Sequence, residues 1–380
     1  MSTQSIMFRP VGNNCNLSCK YCYGSCNYKD INYLKQKNII KTIKLFKDYH
    51  KLKEIVYIIY FHGGEPLLWG INNFKKAFNN ILSLLDREQV QFRIQTNGIL
   101  LNKKYLDLFK KYNVHVSTSI DGFKEINDKL RVYPKDISIY DDLIFSISLL
   151  KKYTSHSGAI LVVTKLHLNK EKELYKFIKE VGISIQFNPL LKLGRANNYS
   201  KLLVTSKEYT KFIKNMFDIW FKDSNPISIS NFNTIVSSII YNKPIKYCNY
   251  GQGCVNNLYF ITIDYNGDIS ICNRTSDMDK EYFNYGNINN IDKLEDIFKS
   301  SCYKMLSKRA NDLKQDCKIC KLHRLKLCNG YGGCPCESFA SDNLFKLPDT
   351  CRINKVVVLY IYNKVMKYEP EFRYQIKIKE

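Results

Sequence analysis

The sequence predicts an α/β protein: a partial (β/α)6 TIM-like barrel followed by a small cysteine-rich domain. Three observations carry this reading. Short apolar runs alternate with amphipathic stretches through the first half of the chain, the alternation stops near residue 219, and ten of the fourteen cysteines fall between Cys248 and Cys351. Strands alternating with helices build parallel β/α units. Six such units make an incomplete barrel, and barrels carry their chemistry at the C-terminal ends of their strands.

The β-like runs are Ser5–Arg9, Ile55–Phe61, Gln91–Gln95, Val114–Ile120, Ala159–Thr164 and Ser184–Phe187, each ending in a polar or glycine-rich turn. Helical patterns sit between them at Leu34–Tyr49, Asn73–Leu85, Lys103–Tyr112, Tyr140–Lys152 and Lys172–Val181. The last places Leu174, Phe177, Ile178 and Val181 on one face against Lys and Glu on the other, the spacing of an amphipathic helix. FKDSNPISISN then reads as a linker or turn. The expected domains are a barrel over 1–218, a linker over 219–245, a cysteine-rich domain over 246–355 and an extension over 356–380. Within the cysteine-rich part, DYNGDISIC reads as a hairpin turning at Asn266-Gly267. The apolar run Val356–Tyr362 fits either a docking strand or a helix.

Composition narrows the function classes. The chain has 380 residues, 45% of them apolar and 24% charged, an ordinary globular balance. No apolar run approaches the ~18 residues of a membrane span, and MSTQSIMFRP lacks the basic and apolar segments of a signal peptide. A cytoplasmic location is therefore expected. The net charge of +23 suits nucleic acid or an acidic peptide, but the lysines are spread along the chain and accompany abundant Asn, Ile and Tyr, as a genome-wide bias would produce. Fourteen cysteines in a reducing compartment point to metal or redox chemistry, not to disulfides.

CNLSCKYC sets Cys15, Cys19 and Cys22 on one loop after the first strand. Three thiolates suit three corners of an iron–sulfur cube, leaving one iron open for a ligand, as catalytic metal sites do. The other reading is a structural zinc loop with Cys26 as its fourth ligand. The spacing, with Tyr21 before the third cysteine, resembles the radical S-adenosylmethionine (radical SAM) enzymes. Further pieces arrive in that family's order. HGGEP closes the second strand, and its two glycines allow close backbone approach. The resemblance implies that Gly63, Gly64, Glu65 and Pro66 hold the methionine end of S-adenosylmethionine. His62 reads as a barrel-lining residue. In STSIDG, Ser119 and Asp121 share one side of the strand end, and Arg131 supplies a fork suited to a carboxylate. In similar enzymes the serine and arginine touch the cofactor. QTNG (Gln95–Gly98) is expected to line the barrel mouth, and Leu191 in FNPLLKLGRA to lie near the adenine.

The later cysteines, Cys248-x5-Cys254, Cys272 and Cys317-x2-Cys320-x7-Cys328-x5-Cys334, ending in Cys351, resemble the SPASM iron–sulfur extension of radical SAM enzymes that modify peptides and proteins. Two gaps before Cys328 and Cys334 are each two residues longer than the family pattern, with NGYGGC in place of a compact GGC. The family's crossed arrangement implies one auxiliary 4Fe-4S cluster on Cys248, Cys254, Cys272 and Cys334, and a second on Cys317, Cys320, Cys328 and Cys351. Cys336 competes with Cys334 for its role. Cys302 and Cys26 are left as buried spare thiols. A pair of zinc-ribbon sites is the competing reading.

The resemblance runs from Ser5 to Cys351. It implies three 4Fe-4S clusters, a 5′-deoxyadenosyl radical made from S-adenosylmethionine, and oxidative modification of a peptide or protein side chain, with electrons from a flavodoxin or ferredoxin. The overall pattern is that of anaerobic sulfatase-maturating enzymes, which make formylglycine. One departure matters: the aspartate that serves those relatives as base, directly after the cysteine matched to Cys272, is Asn273 here, and an amide takes no proton at neutral pH. Asp277 and Asp279 are nearby in sequence. The expectation is therefore a peptide maturase, with formylglycine generation as the alternative. Because the chain opens almost on its first strand, leader recognition is assigned to a separate protein or another surface. No nucleic-acid or membrane partner is expected; a basic zinc-ribbon nucleic-acid-binding protein is the reading from another class, and it leaves GGEP and SIDG unexplained.

Overall fold

In the computed structural model, residues 2–24, 32–51, 54–153, 157–247, 258–341 and 343–368 are described. They belong to two compact units. The first comprises Met1–Ile160, Leu193–Tyr199 and Cys254–Lys308, and the second Leu161–Lys192, Ser200–Gly253 and Arg309–Glu380.

In the first unit the apolar runs become parallel strands: β1 (Ser2–Phe8), β2 (Ile55–Phe61), β3 (Val90–Gln95), β4 (His115–Ser119) and the start of β5 (Ser157–Val163). Helices α1 (Gln36–His50), α2 (Ile71–Leu82), α3 (Lys103–Lys111), α4 (Lys124–Leu130) and α5 (Tyr140–Tyr153) connect them. Within β2 and β3 the side chains alternate. Ile55, Tyr57, Ile59 and Phe61, with Val90, Phe92 and Ile94, are buried, while Gln91 is exposed and Arg93 and Gln95 are half-buried on the opposite face. That alternation is the strand period of two. The buried face packs on aromatic residues of α2, with Phe78 on Phe92 at a ring separation of 4.6 Å and Phe61 edge-on to Phe74 at 5.3 Å. The opposite face is polar near the strand tips, where the site lies.

The sheet is open, and it is longer than six strands. From the cysteine-rich segment, β7 (Phe260–Ile263) pairs parallel to β1, followed by antiparallel β8 (Asp268–Ser270) and β9 (Asn284–Asn287), giving the order β5-β4-β3-β2-β1-β7-β8-β9 in this unit. Pairing of β7 with β1 was not legible, because four residues of β-pattern say nothing about their partner. The expected hairpin is present, but its loop spans residues 264–267: Asp264 N–H bonds to Asp268 O, and Gly267 turns with φ +93°. Short α9 (Lys280–Phe283) and the start of α10 (Ser301–Asp312) complete the unit.

In the second unit β6 (Ser184–Pro189) lies beside the end of β5. Helix α6 (Glu171–Val181) begins with acidic Glu171 and Glu173 and ends on left-handed Gly182, matching the helix dipole and its glycine stop. Helix α7 (Ser206–Lys222) starts at a capping box between Thr205 and Glu208. The stretch 219–245 holds the end of α7 and all of α8 (Ser230–Ile240), so only residues 223–229 form the turn that its Asp, Ser, Asn and Pro suggested. Short helices α11 (Lys314–Lys318), α12 (Lys321–Arg324) and α13 (Pro335–Ala340) carry the cysteines. The apolar run near the end is helix α14 (Asp349–Lys367), with Ile353, Val357, Val358, Ile361 and Val365 buried. That i, i+4, i+8 spacing decides for helix over strand. Tyr360 donates to Asp218 of α7 at 2.6 Å.

Candidate active site and a second cysteine cluster

The loop after β1 carries Cys15, Cys19 and Cys22, and backbone hydrogen bonds hold it on three sides. Gly64 and Glu65 N–H bond to Gly12 and Asn14 O (2.7 Å each), Ser18 and Lys20 N–H bond to Val132 and Leu130 O, and Arg195 N–H bonds to Cys22 O (2.9 Å). Two glycines make this possible. A Cβ on Gly64 would lie 2.1 Å from Asn14 O, and one on Gly194 2.3 Å from Tyr23 O. The HGGEP glycines thus seat the cysteine loop itself. Cys19 is buried and its thiol is pushed up to about 12 by burial, with Cys15 and Cys22 adding to the effect. Asn97 Nδ2 points at Cys15 Sγ (3.6 Å) and bonds to Asn16 Oδ1 (2.7 Å).

Glu65 is fully buried and works inward. Its carboxylate accepts from Leu67 N–H (2.9 Å), Thr96 O–H (2.7 Å) and Asn97 N–H (2.7 Å), fastening QTNG to HGGEP. Burial pushes its carboxyl up to about 7 against those three donors. Pro66 opens the 3-10 turn Pro66–Trp69 that follows. His62 accepts from Gly63 N–H through Nδ1 (2.7 Å), and burial lowers it to about 4.

Tyr21, Asp121 and Arg131 form one buried network. The Tyr21 hydroxyl donates to Asp121 and accepts from Arg131 (2.7 Å), and Arg131 lies 3.9 Å from the Asp121 carboxylate. Burial raises the Tyr21 hydroxyl well above its usual range. Ser119 Oγ accepts from Gln95 Nε2 at 3.0 Å. Arg131 Nε is buried without a partner, a donor that a bound carboxylate would satisfy.

Arg9 is a residue that sequence reasoning passed over. Its buried guanidinium binds Asp264 (2.7 Å), Asp277 (2.9 Å) and Asn13. Burial opposes its charge, and the two carboxylates outweigh that and raise its pKa. The signal available was a lone arginine closing a buried strand, which needs an anion. Asp277 is therefore engaged by Arg9, and Asp279 caps α9 by accepting from Glu281 N–H (2.9 Å). Asn273, beside half-buried Cys272, gives its amide N–H to the Tyr23 hydroxyl, while its Oδ1 is buried without a partner. Cys302 is buried and donates to Tyr282 O at 2.8 Å.

In the second unit burial, and after it the neighbouring thiols, Cys320 among them, raise Cys317, Cys328 and Cys351, pushing Cys328 to about 11 and Cys351 to about 12. Cys334 caps α13, with fully buried Cys336 inside that helix. Leu191 follows β6 in this unit and is half-buried. Cys26, Cys248 and Cys254 lie outside the described residues. Among the described residues no three His, Cys, Asp or Glu side chains converge on a single ion.

Comparison with known proteins identifies two regions. Residues 10–181 match the radical SAM superfamily and residues 254–321 an iron–sulfur cluster-binding domain, SPASM. A cysteine-type anaerobic sulfatase-maturating enzyme of Clostridium novyi is 31% identical over 66% of this chain and 69% of its own. The chain belongs to the radical SAM superfamily. A second cysteine-type anaerobic sulfatase-maturating enzyme, from Clostridium perfringens, is 26% identical over 96% of this chain and 98% of its own. A solved structure described as native anSMEcpe with bound AdoMet and Cp18Cys peptide superposes with a TM-score of 0.79 at 23% identity, covering 97% of this chain and 99% of that one. As a radical SAM enzyme with a SPASM domain, the chain is built for iron–sulfur clusters and S-adenosylmethionine. The three-cysteine loop and the unpaired Arg131 Nε fit those groups. No helix among the described residues is long and apolar enough to cross a membrane.

Proposed function

We propose that this radical SAM enzyme oxidatively modifies a side chain of a peptide or protein, using three 4Fe-4S clusters. Cys15, Cys19 and Cys22 hold the first, Cys248, Cys254, Cys272 and Cys334 the second, and Cys317, Cys320, Cys328 and Cys351 the third. When bound, the first cluster and S-adenosylmethionine supply the radical that takes a hydrogen atom from an unactivated carbon. The chain's own residues position and enclose. Tyr21 and Asp121 hold Arg131 ready for the cofactor's carboxylate, Gln95 orients Ser119, and Glu65 locks the two strand-end loops together. A flavodoxin or ferredoxin is the electron source of this reading.

One observation favours peptide maturation: the buried side chain after Cys272 is Asn273, whose Oδ1 has no partner. It offers an acceptor for a substrate N–H or O–H and takes no proton. Asp277, the neighbouring carboxylate, is spent on Arg9. The second reading, formylglycine formation, is favoured by the relatives, which are named as sulfatase-maturating enzymes.

The test is anaerobic reconstitution with iron and sulfide counts, plus assay of 5′-deoxyadenosine with dithionite and S-adenosylmethionine. About twelve irons are expected, falling to about eight with product lost in a Cys15/Cys19/Cys22→Ala variant. Zinc without iron, and no 5′-deoxyadenosine, overturns the proposal. Incubation with a cysteine-containing sulfatase peptide then separates the two readings by mass spectrometry. Formylglycine in wild type supports the second; its appearance only in Asn273→Asp supports the first.

A further inference from the structure

A cation enclosed in protein needs an anion nearby, because the cost of desolvating an unpaired charge is several kcal/mol or more. Arg309 in the second unit is 1% exposed. All of its hydrogen-bond partners are neutral: its guanidinium donates to Leu344 O, Gly332 O (3.0 Å), Ser338 Oγ (2.7 Å) and Lys346 O (3.4 Å). Among the described residues no carboxylate forms an ion pair with it. Glu337, the buried acid of that region, instead receives the hydroxyl of Thr350.

Thiols lie just beyond these partners. Gly332, whose carbonyl takes one of its N–H groups, precedes Gly333, where a Cβ would lie 2.6 Å from Cys351 Sγ. Ser338 Oγ, which takes another, also bonds to Cys334 O (3.2 Å). Burial works against its charge, and Cys334, Cys351 and Cys317 support it. The glycines of the NGYGGC segment add a second, independent sign of an anion. Gly330, Gly332 and Gly333 all take left-handed φ, between +67° and +74°, and they lie against the cysteines, a Cβ on Gly330 falling 3.2 Å from Cys317 Cβ. Backbone N–H groups gathered by such turns form anion-binding concavities. The two-residue lengthening around this segment thus accompanies a built site for negative charge.

We infer that Arg309 is the resident counter-cation of the metal centre on Cys317, Cys320, Cys328 and Cys351, and that its charge raises the reduction potential of that centre. Four thiolates make a cube of this kind net negative, and charge and hydrogen bonds to sulfur are among the levers that set its potential. The inference rests on the proposal that these four cysteines hold an iron–sulfur cluster.

The experiment uses the full chain, reconstituted anaerobically in the Cys15/Cys19/Cys22→Ala background so that only auxiliary clusters contribute. Arg309→Gln and Arg309→Lys are compared by redox titration followed by EPR, alongside iron and sulfide counts. Arg309→Gln is expected to lower the reduced-to-oxidised ratio of the cluster on Cys317, Cys320, Cys328 and Cys351 about tenfold at fixed potential, which is about 59 mV for a one-electron couple, with the other cluster, which meets Arg309 through Cys334 alone, moved less and Arg309→Lys close to wild type. Loss of one cluster's iron in Arg309→Gln but not in Arg309→Lys supports the same conclusion, since only the charge differs in kind. Unchanged titration with full iron overturns it, as does equal loss of iron in both variants, which marks a packing role. If the protein holds zinc in place of iron, the functional proposal fails separately. The counter-charge is then read from zinc affinity: about tenfold weaker binding in Arg309→Gln alone supports it, and equal affinity overturns it.

Discussion

The two units treat buried arginine in opposite ways. In the first, Arg9 is matched by Asp264 and Asp277 and Arg131 by Asp121, so both buried cations have protein carboxylates of their own. In the second, Arg309 has carbonyls, a hydroxyl and thiols, and no carboxylate among the described residues. A site that supplies its own anions is shaped before its ligand arrives. One that leaves a cation waiting depends on the ligand for its electrostatic balance, and metal binding becomes part of its folding energy.

The sharpest way to break this comparison is Arg9→Met. The substitution leaves Asp264, with 11% side-chain exposure, and Asp277, with 21%, facing each other without a cation. Stripping one partner from a buried pair costs about 3–5 kcal/mol. The partial exposure of both acids places the expected loss near the lower end, read by urea denaturation of the reconstituted protein. Adding Asp264→Asn should recover part of it. A loss below about 1 kcal/mol, the range of exposed ion pairs, would mean that the first unit's balance is ornamental.

Glu65 tests whether the first unit's order is internal. Its carboxyl is raised from 4.5 to about 7, by burial first. A raised carboxyl favours the protonated form in the folded state, so its contribution is fully present below pH 4.5 and is lost as pH rises through 7. Subtracting the stability of Glu65→Gln from that of wild type isolates this group. The difference should fall by about 3 kcal/mol across that window and be flat outside it. A difference that rises with pH would show that the three donors outweigh burial and that the group is charged throughout.

How legible these regions were follows from the physics of each signal. Ile55–Phe61 was read to the residue because a buried parallel strand is apolar throughout, and the shared loop of Cys15, Cys19 and Cys22 was legible because spacing is a local property. The roles of Arg9 and Arg309 were invisible, since each meets partners distant in sequence, from Asp264 in one case and Gly332 to Lys346 in the other. The inward bonding of the Glu65 carboxylate was not legible, because a motif records which residues recur and not which way a side chain points. Asn273 was the opposite case: a single departure from a pattern, readable at once, whose orphan Oδ1 only the fold displays. The linker over 219–245 was overdrawn because Asp, Ser, Asn and Pro mark a turn without saying where the next helix, α8, begins.

The smallest effect is also the most specific. Thr96→Val keeps the side-chain shape and removes one hydroxyl, which donates to Glu65 at 2.7 Å and accepts from Gly98 N–H at 3.1 Å. Two backbone donors still reach the Glu65 carboxylate, so a network closed within the protein should absorb the loss at about 1 kcal/mol above pH 7. Fewer donors also mean weaker support for the charged form, so the pH window of Glu65 should move upward and the cost shrink below pH 4.5, where the carboxyl is protonated in both proteins. In the Glu65→Gln background the same change should cost less than it does alone, because the two residues share one bond. Equal cost in both backgrounds would assign the effect to the Gly98 N–H and leave Glu65 held by its backbone donors alone.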